Sequence, residues 1–168
     1  MIHVCSLADL HSTVEATGAS HILTVMGKVE KALRPQSVLE ANHLRVSMDD
    51  ITEAADGFTV PSTKHVETAL TFIRGWDRKA PLVIHCFAGI SRSTATAFMA
   101  ACALNPRRSE SEIARQIRAA SPSASPNRLI VALADQVLDR NGRMVHALDE
   151  MGLASMTIEG RPFRVDLE

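Results

Sequence analysis

This 168-residue chain contains few cysteines, carries little net charge and has only short apolar runs. Its three cysteines lack Cys-x-x-Cys spacing, which argues against a disulfide framework or a structural zinc site and favours a reducing, cytoplasmic setting. A formal net charge of −1 offers no basic surface for nucleic acid or for an acidic membrane. The longest apolar stretch, residues 94–104, is too short to cross a bilayer, and the start of the chain lacks a signal-peptide pattern.

Short apolar runs alternate with amphipathic segments along the chain. This alternation predicts an α/β fold with a central, mostly parallel sheet of about four to five strands flanked by helices. The predicted parallel strands are Ile2–Cys5, His21–Met26, His43–Ser47 and Leu82–His85. The predicted helices cover residues 7–17, a segment from Pro61, residues 91–104, a segment opened by the capping box Ser109–Glu112, and a segment with Pro126 at its first position that ends near Gly142. We expect residues 1–142 to form one domain and residues 143–168 a C-terminal extension packed on it, with an edge strand at 163–167.

The loop after the fourth predicted strand carries most of the chemistry. A free cysteine at a strand end is ordinarily a small buried hydrophobe, and Cys5 and Cys102 fit that description. Cys86 differs, because Ala88, Gly89 and Ser91 allow the backbone to curl so that consecutive N–H groups converge on one point. The next helix directs its free N–H groups to that point, and Arg92 adds a bidentate donor. The loop is therefore predicted to bind a tetrahedral oxyanion above Cys86.

The same donors should ionise the thiol of Cys86. A preference of roughly 5 kcal/mol for the thiolate is needed, and a helix dipole supplies only about 0.3–1 kcal/mol of it. Two or three charge-assisted hydrogen bonds of about 1.5–3 kcal/mol each are sufficient. We expect the loop amides and the Ser93 hydroxyl to provide them.

Residues His85-Cys86-Phe87-Ala88-Gly89-Ile90-Ser91-Arg92-Ser93 match the HCxxGxxR[ST] signature of cysteine-dependent protein tyrosine phosphatases. The mid-chain position of this loop, the short domain and the turn from Ser121 to Asn127 resemble the dual-specificity-like branch. The resemblance implies an enzyme in which Cys86 attacks phosphorus to form a phosphocysteine intermediate. It implies that Arg92 and the loop residues Phe87, Ala88, Gly89, Ile90 and Ser91 bind phosphate, that Ser93 stabilises the departing thiolate and that His85 orders the loop. No metal or other cofactor is implied, because cationic and N–H groups already neutralise the phosphate.

A phosphatase of this kind also needs a general acid to protonate the leaving group. Asp50 follows an apolar strand and precedes Cys86 by 36 residues, which matches the family pattern best, and Asp49 and Asp56 are the rivals. A WPD-type motif is absent. Phosphoinositide phosphatases of this family tend to carry lysines at the variable loop positions, which are uncharged here. The resemblance therefore favours a phosphoprotein or a small aryl phosphate over a polyphosphorylated lipid, with phosphotyrosine as the main target and dual specificity as the alternative.

Two other functions fit parts of this pattern. A catalytically weak phosphate-binding module would keep the loop but lack a working acid. Thiol chemistry on another oxyanion, as in an arsenate reductase or sulfurtransferase, would use the same cysteine; arsenate reduction of this type needs further redox cysteines, and none is paired within the loop or its helix.

Overall fold

One five-stranded sheet forms the centre of the computed structural model, which describes residues 1–167. The strands are β1 (Ile2–Cys5), β2 (His21–Met26), β3 (His43–Ser47), β4 (Leu82–His85) and β5 (Phe163–Val165). Their order is β3-β2-β4-β1-β5, and only β5 runs antiparallel to its neighbour. The predicted α/β fold with a mostly parallel sheet is therefore confirmed.

Six α-helices and a short 3-10 helix at Glu40–Asn42 accompany the sheet in the described residues. The α-helices are α1 (Leu10–Thr17), α2 (Thr63–Gly75), α3 (Arg92–Leu104), α4 (Glu110–Ala120), α5 (Arg128–Val137) and α6 (Arg143–Met151). The connection from β1 to β2 crosses the sheet in one direction, and the connection from β3 to β4 crosses it in the other. Right-handed crossovers therefore place α1 and α2 on opposite faces.

The carboxyl ends of β1, β2, β3 and β4 all lie at the same edge of the sheet, because these strands are parallel. Ligand sites of open α/β sheets form in the crevice beyond this edge. The loop after β4 begins here with Cys86, and the loop after β3 begins with Met48 and leads to Asp50. The fold thus brings together segments that are far apart in sequence.

The C-terminal residues pack on the rest of the chain through two elements. Helix α6 packs against α4 and α5, and β5 pairs with β1 through Val4 opposite Phe163. The buried carboxylate of Glu110 in α4 binds Arg140 at 3.1 Å and Arg143 at 3.2 Å, which links the helices electrostatically. Residue 168, the last position of the predicted extension, lies outside the described residues. Among residues 1–167, helices are too short or too polar to span a bilayer.

Candidate active site

The loop of residues 86–91 is held in place through its outward-facing carbonyl groups. The carbonyl of Phe87 accepts a hydrogen bond from the amide of Leu7 at 3.0 Å, and that of Ala88 accepts one from Gly160 at 2.8 Å. Likewise, the carbonyls of Ile90 and Ser91 accept from the amides of Ser125 and Asn127 at 2.9 and 3.3 Å. In a trans peptide the next N–H points opposite to the carbonyl, and every described peptide bond is trans. The amides of residues 88, 89, 91 and 92 therefore face away from these partners, towards the inside of the loop.

Gly89 makes this loop shape possible. Its φ of +70° lies in the left-handed region, which side chains with a Cβ rarely adopt. A Cβ at this position would also lie 2.8 Å from the backbone carbon of Cys5 and 2.8 Å from the amide nitrogen of Ser6. Neither atom belongs to a flexible side chain, so the loop and the end of β1 leave room for glycine alone.

The three cysteines occupy different environments. Cys86 lies at the start of the loop with its Sγ 3.1 Å from Oγ of Ser93, so the hydroxyl can donate to a thiolate. All three cysteines are buried free thiols. Burial raises the pKa of the Cys5 and Cys102 thiols to about 12. The structure thus supplies a polar partner to the thiol that the sequence singled out.

Arg92 is buried at the first position of α3, where its guanidinium meets a carboxylate that the sequence analysis missed. Its Nη1 donates to Oε2 of Glu30 at 3.0 Å and to the carbonyl of Met48 at 3.0 Å, and its Nη2 reaches Oε1 of Glu30 at 3.4 Å. Within residues 1–167, the buried Nε of Arg92 has no hydrogen-bond partner. Glu30 therefore orients the guanidinium of Arg92, and Nε of Arg92 stays available as a donor.

His85 lies fully buried beneath the loop, at the end of β4. Its Nε2 lies 2.7 Å from Oγ1 of Thr24, which in turn lies 2.8 Å from Nε2 of His43. Burial lowers the pKa of His85 from 6.5 to about 4, and the nearby backbone of Cys86 opposes part of this shift. Burial, with a smaller effect of Arg45, also lowers the pKa of His43 to about 4. Both rings are neutral at neutral pH, so the chain His85–Thr24–His43 acts as an uncharged brace.

Asp50 lies next to the loop, beyond the end of β3. Its Oδ1 accepts hydrogen bonds from Oγ of Ser91 at 2.7 Å and from Nδ2 of Asn127 at 2.9 Å. Its rival Asp49 instead accepts from the amide of Thr59 at 2.6 Å and braces the loop in which it lies. The exposed Asp56 lies farther along this loop, in a turn. Of the three carboxylates, Asp50 is the one for which the structure records a bond to the Cys86 loop.

Two residues of this site were not predicted as functional. Asn127 was expected only as part of a turn. Its side-chain Nδ2 donates to Asp50, and its Oδ1 caps α5 by accepting a hydrogen bond from the backbone amide of Ile130 at 3.1 Å. Glu30 lies in a charged loop between Lys28 and Lys31, where a solvated carboxylate is the ordinary interpretation. The signal for Asn127 was its position before a helix; for Glu30 the sequence contains no comparable signal.

Comparison with solved structures places this architecture among known folds. Over 92% of this chain and 94% of the other, DUSP15 matches with a TM-score of 0.63 at 20% identity. Human DUSP28 matches over 83% of this chain and 89% of its own with a TM-score of 0.62 at 19% identity. The chain has the dual-specificity phosphatase fold. The similarity to these phosphatases is one of structure alone, because the sequence matches neither a protein-family model nor a curated protein.

The phosphatase fold is not restricted to proteins described as phosphatases. The human tyrosine phosphatase-like serine/threonine/tyrosine-interacting protein matches over 83% of this chain and 92% of its own, with a TM-score of 0.65 at 15% identity. One fold hosts different functions, so the fold by itself does not decide between catalysis and binding. An activity is therefore inferred from the residues of this site.

Proposed function

We propose that the protein hydrolyses phosphomonoesters through a phosphocysteine intermediate, with a phosphotyrosine-containing protein as the substrate. The observation that carries this proposal is the outward hydrogen bonding of four carbonyls in the loop that follows Cys86, which turns the amides of residues 88, 89, 91 and 92 inward. Such a concave set of N–H groups at a helix N-terminus binds a tetrahedral oxyanion. The unpaired Nε of Arg92 provides a further donor, for which a phosphate oxygen would be the missing acceptor.

The two chemical steps follow from these positions. In the first, Sγ of Cys86 attacks phosphorus, the ester P–O bond breaks and Asp50 gives a proton to the leaving oxygen. In the second, water attacks the phosphocysteine, its proton returns to Asp50, and the S–P bond breaks to release inorganic phosphate. Ser93, 3.1 Å from Sγ, donates a hydrogen bond to the departing thiolate. The loop amides and Arg92 stabilise the charge on the equatorial oxygens throughout.

The substrate class follows from the variable positions of the loop. Phe87, Ala88, Ile90 and Ser91 carry no charge, so the loop provides no extra cations for a polyphosphorylated lipid headgroup. The Phe87 side chain is 59% exposed beside the site, where it can pack against an aromatic ring. A phosphotyrosine side chain satisfies both features. Because the reaction requires a free thiol, we further propose a reducing, cytoplasmic location.

Turnover of an aryl phosphate by the purified protein tests the proposed function. Cys86→Ser should abolish turnover and retain binding of inorganic phosphate, because the amides and Arg92 remain. Arg92→Lys should also cost most of the activity, since an ammonium cannot replace the planar fork. Cys102→Ala, in the Ala-rich helix α3, is the matched control and should keep wild-type activity. Near-wild-type turnover by Cys86→Ser would exclude Cys86 as the nucleophile.

A phosphate-binding module without turnover is the second candidate. The observation in its favour is that the two carboxylates of the site are already engaged, Glu30 by Arg92 and Asp50 by Ser91 and Asn127. Inorganic phosphate binding with no turnover of aryl phosphate or of phosphotyrosine peptides would favour the module. Turnover that depends on Cys86 would favour the enzyme.

A further inference from the structure

A small apolar groove lies directly beside the proposed phosphate loop. Its volume is about 250 Å³. The residues that line it come from three segments: Leu7 and Ala8 after β1, Phe87 and Ala88 in the loop, and Ile158 and Glu159 from the segment between α6 and β5. The thiol proposed above as the nucleophile belongs to Cys86, the residue that precedes Phe87, so the groove and the proposed active site share one loop.

The walls of this groove are fixed to the loop by backbone contacts. The amide of Leu7 donates to the carbonyl of Phe87 at 3.0 Å, and the amide of Gly160 donates to that of Ala88 at 2.8 Å. A Cβ on Gly160 would lie 2.9 Å from the carbonyl oxygen of Gly89, so this close approach requires glycine. The backbone segments that carry the groove are therefore held beside the loop by the same bonds that shape the loop.

The groove exposes apolar surface that the chain itself does not cover. Ile158 is 96% exposed and Phe87 is 59% exposed. Covering an apolar side chain of this size is favourable by roughly 25 cal/mol for each Å² removed from water. Glu159 is the one charged residue in the lining, and it would repel an acidic group brought into the groove.

We propose that the groove binds an apolar side chain of the phosphoprotein substrate, close in sequence to the phosphorylated residue. The shared loop indicates the occupant: a peptide with its phosphate above Cys86 has its flanking residues close to Phe87, which lines the groove. Leu7, Ala8, Ala88 and Ile158 then contact the flanking side chain, and Glu159 disfavours an acidic one. Ile158 is thus a specificity-determining residue of the extension. This inference rests on the proposed phosphatase function.

Phosphotyrosine peptides with one varied flanking position test the groove. Leucine, alanine and aspartate are placed in turn at each of the three positions before and after phosphotyrosine, and kcat/KM is measured. The value of kcat/KM should be higher for leucine than for aspartate on only one side of phosphotyrosine, either before it or after it. Ile158→Ser should lower kcat/KM for the preferred leucine peptide by about 5- to 30-fold, the change that partial loss of apolar burial produces. It should leave turnover of a small aryl phosphate unchanged, because that substrate does not reach the groove.

Leu153→Ser is the matched control, since Leu153 is 100% exposed on the same segment but does not line the groove. It should leave all peptide rates unchanged. Equal losses of kcat/KM in Ile158→Ser and Leu153→Ser, or no preference for leucine at any position, would overturn the groove assignment. The proposed function would still stand in that case if the protein turns over the aryl phosphate. Sedimentation of the wild type as a dimer and of Ile158→Ser as a monomer, with the same peptide preference, would assign the groove to a second copy of the chain. That result would overturn the proposal that the groove binds substrate. Absence of aryl phosphate turnover in the wild type would instead contradict the proposed function.

Discussion

Acidification should destabilise the protein through the buried imidazole of His85. This ring is fully buried, and its burial lowers the pKa from 6.5 to about 4. Between pH 6.5 and pH 4 the unfolded chain binds more protons at His85 than the folded chain does. The stability that a neutral His85 contributes is therefore complete above about pH 6.5 and is lost as the pH falls towards 4. At pH 5 the loss relative to pH 7.5 is about 2 kcal/mol, because each unit of pKa difference is worth about 1.4 kcal/mol.

Urea unfolding at pH 7.5 and pH 5 measures this loss. With a slope of about 2 kcal/mol per molar urea, the midpoint should fall by about 1 M through His85 alone. His85→Gln removes the titrating group, so the drop in free energy of unfolding between the two pH values should become about 2 kcal/mol smaller than in the wild type. His43→Gln should remove a smaller part, because His43 is only half-buried. An unchanged acid sensitivity in His85→Gln would refute the argument that burial keeps this ring neutral.

Three further predictions concern the site itself. Asp50→Asn should slow phosphate esters with poor leaving groups by about 10²–10⁴-fold and affect activated aryl phosphates much less, which a leaving-group series measures; equal losses for both classes would exclude Asp50 as the acid. Gly89→Ala should cost about 2–4 kcal/mol of stability and most of the activity, because a Cβ would meet the backbone of β1 at 2.8 Å; wild-type phosphate binding would contradict this. Iodoacetamide should modify Cys86 before Cys5 and Cys102, whose pKa values are raised to about 12 by burial, and inorganic phosphate should slow that modification; earlier labelling of either buried cysteine in a peptide map would refute it.

The four parallel strands lie within the predicted bounds. Strands β1, β2 and β4 are short runs of predominantly buried residues between polar segments, whereas β3 lies at the edge of the sheet and buries only Val46. Helix ends were harder to predict, since local side-chain bonds determine them. Helix α1 begins at Leu10 rather than at residue 7, because the amide of Asp9 donates to Oγ of Ser6 at 3.2 Å and forms a turn there. Asn127 caps α5 through its own side chain, so Pro126 lies outside the helix instead of at its first position.

The end of α5 was also predicted wrongly. The helix ends at Val137, several residues before the expected end near Gly142. Asp139 and Asn141 adopt positive φ angles of 54° and 52°, which a helix does not allow. The carboxylate of Asp135 accepts hydrogen bonds from the amides of Gly142 and Met144 at 2.6 and 2.7 Å and so stabilises the turn into α6. Periodicity alone does not reveal such a turn, because it depends on a side chain seven residues away.

Within the site, the residues of the Cys86 loop were predicted together, and Asp50 was selected by its spacing from Cys86 in the family pattern. Cys86, Gly89 and Arg92 belong to one loop, and the spacing among them reflects its curvature. Glu30 meets Arg92 from 62 residues away, and Asn127 meets Asp50 from 77 residues away. Such pairs depend on how the crossovers stack the loops at one sheet edge, which a single sequence does not specify.

The position of β5 in the sheet has a consequence for how the protein is made. Of the five strands, β1 is translated first, and one of its two neighbours, β5 at residues 163–165, is translated last. Until then the nascent chain exposes one edge of β1, a row of unpaired backbone groups beside the apolar Ile2 and Val4 that can pair with other chains. Contacts of such large sequence separation also slow folding. Folding during synthesis can therefore complete the helices and the inner strands early, whereas protection of β1 from aggregation must last until the final strand has been translated.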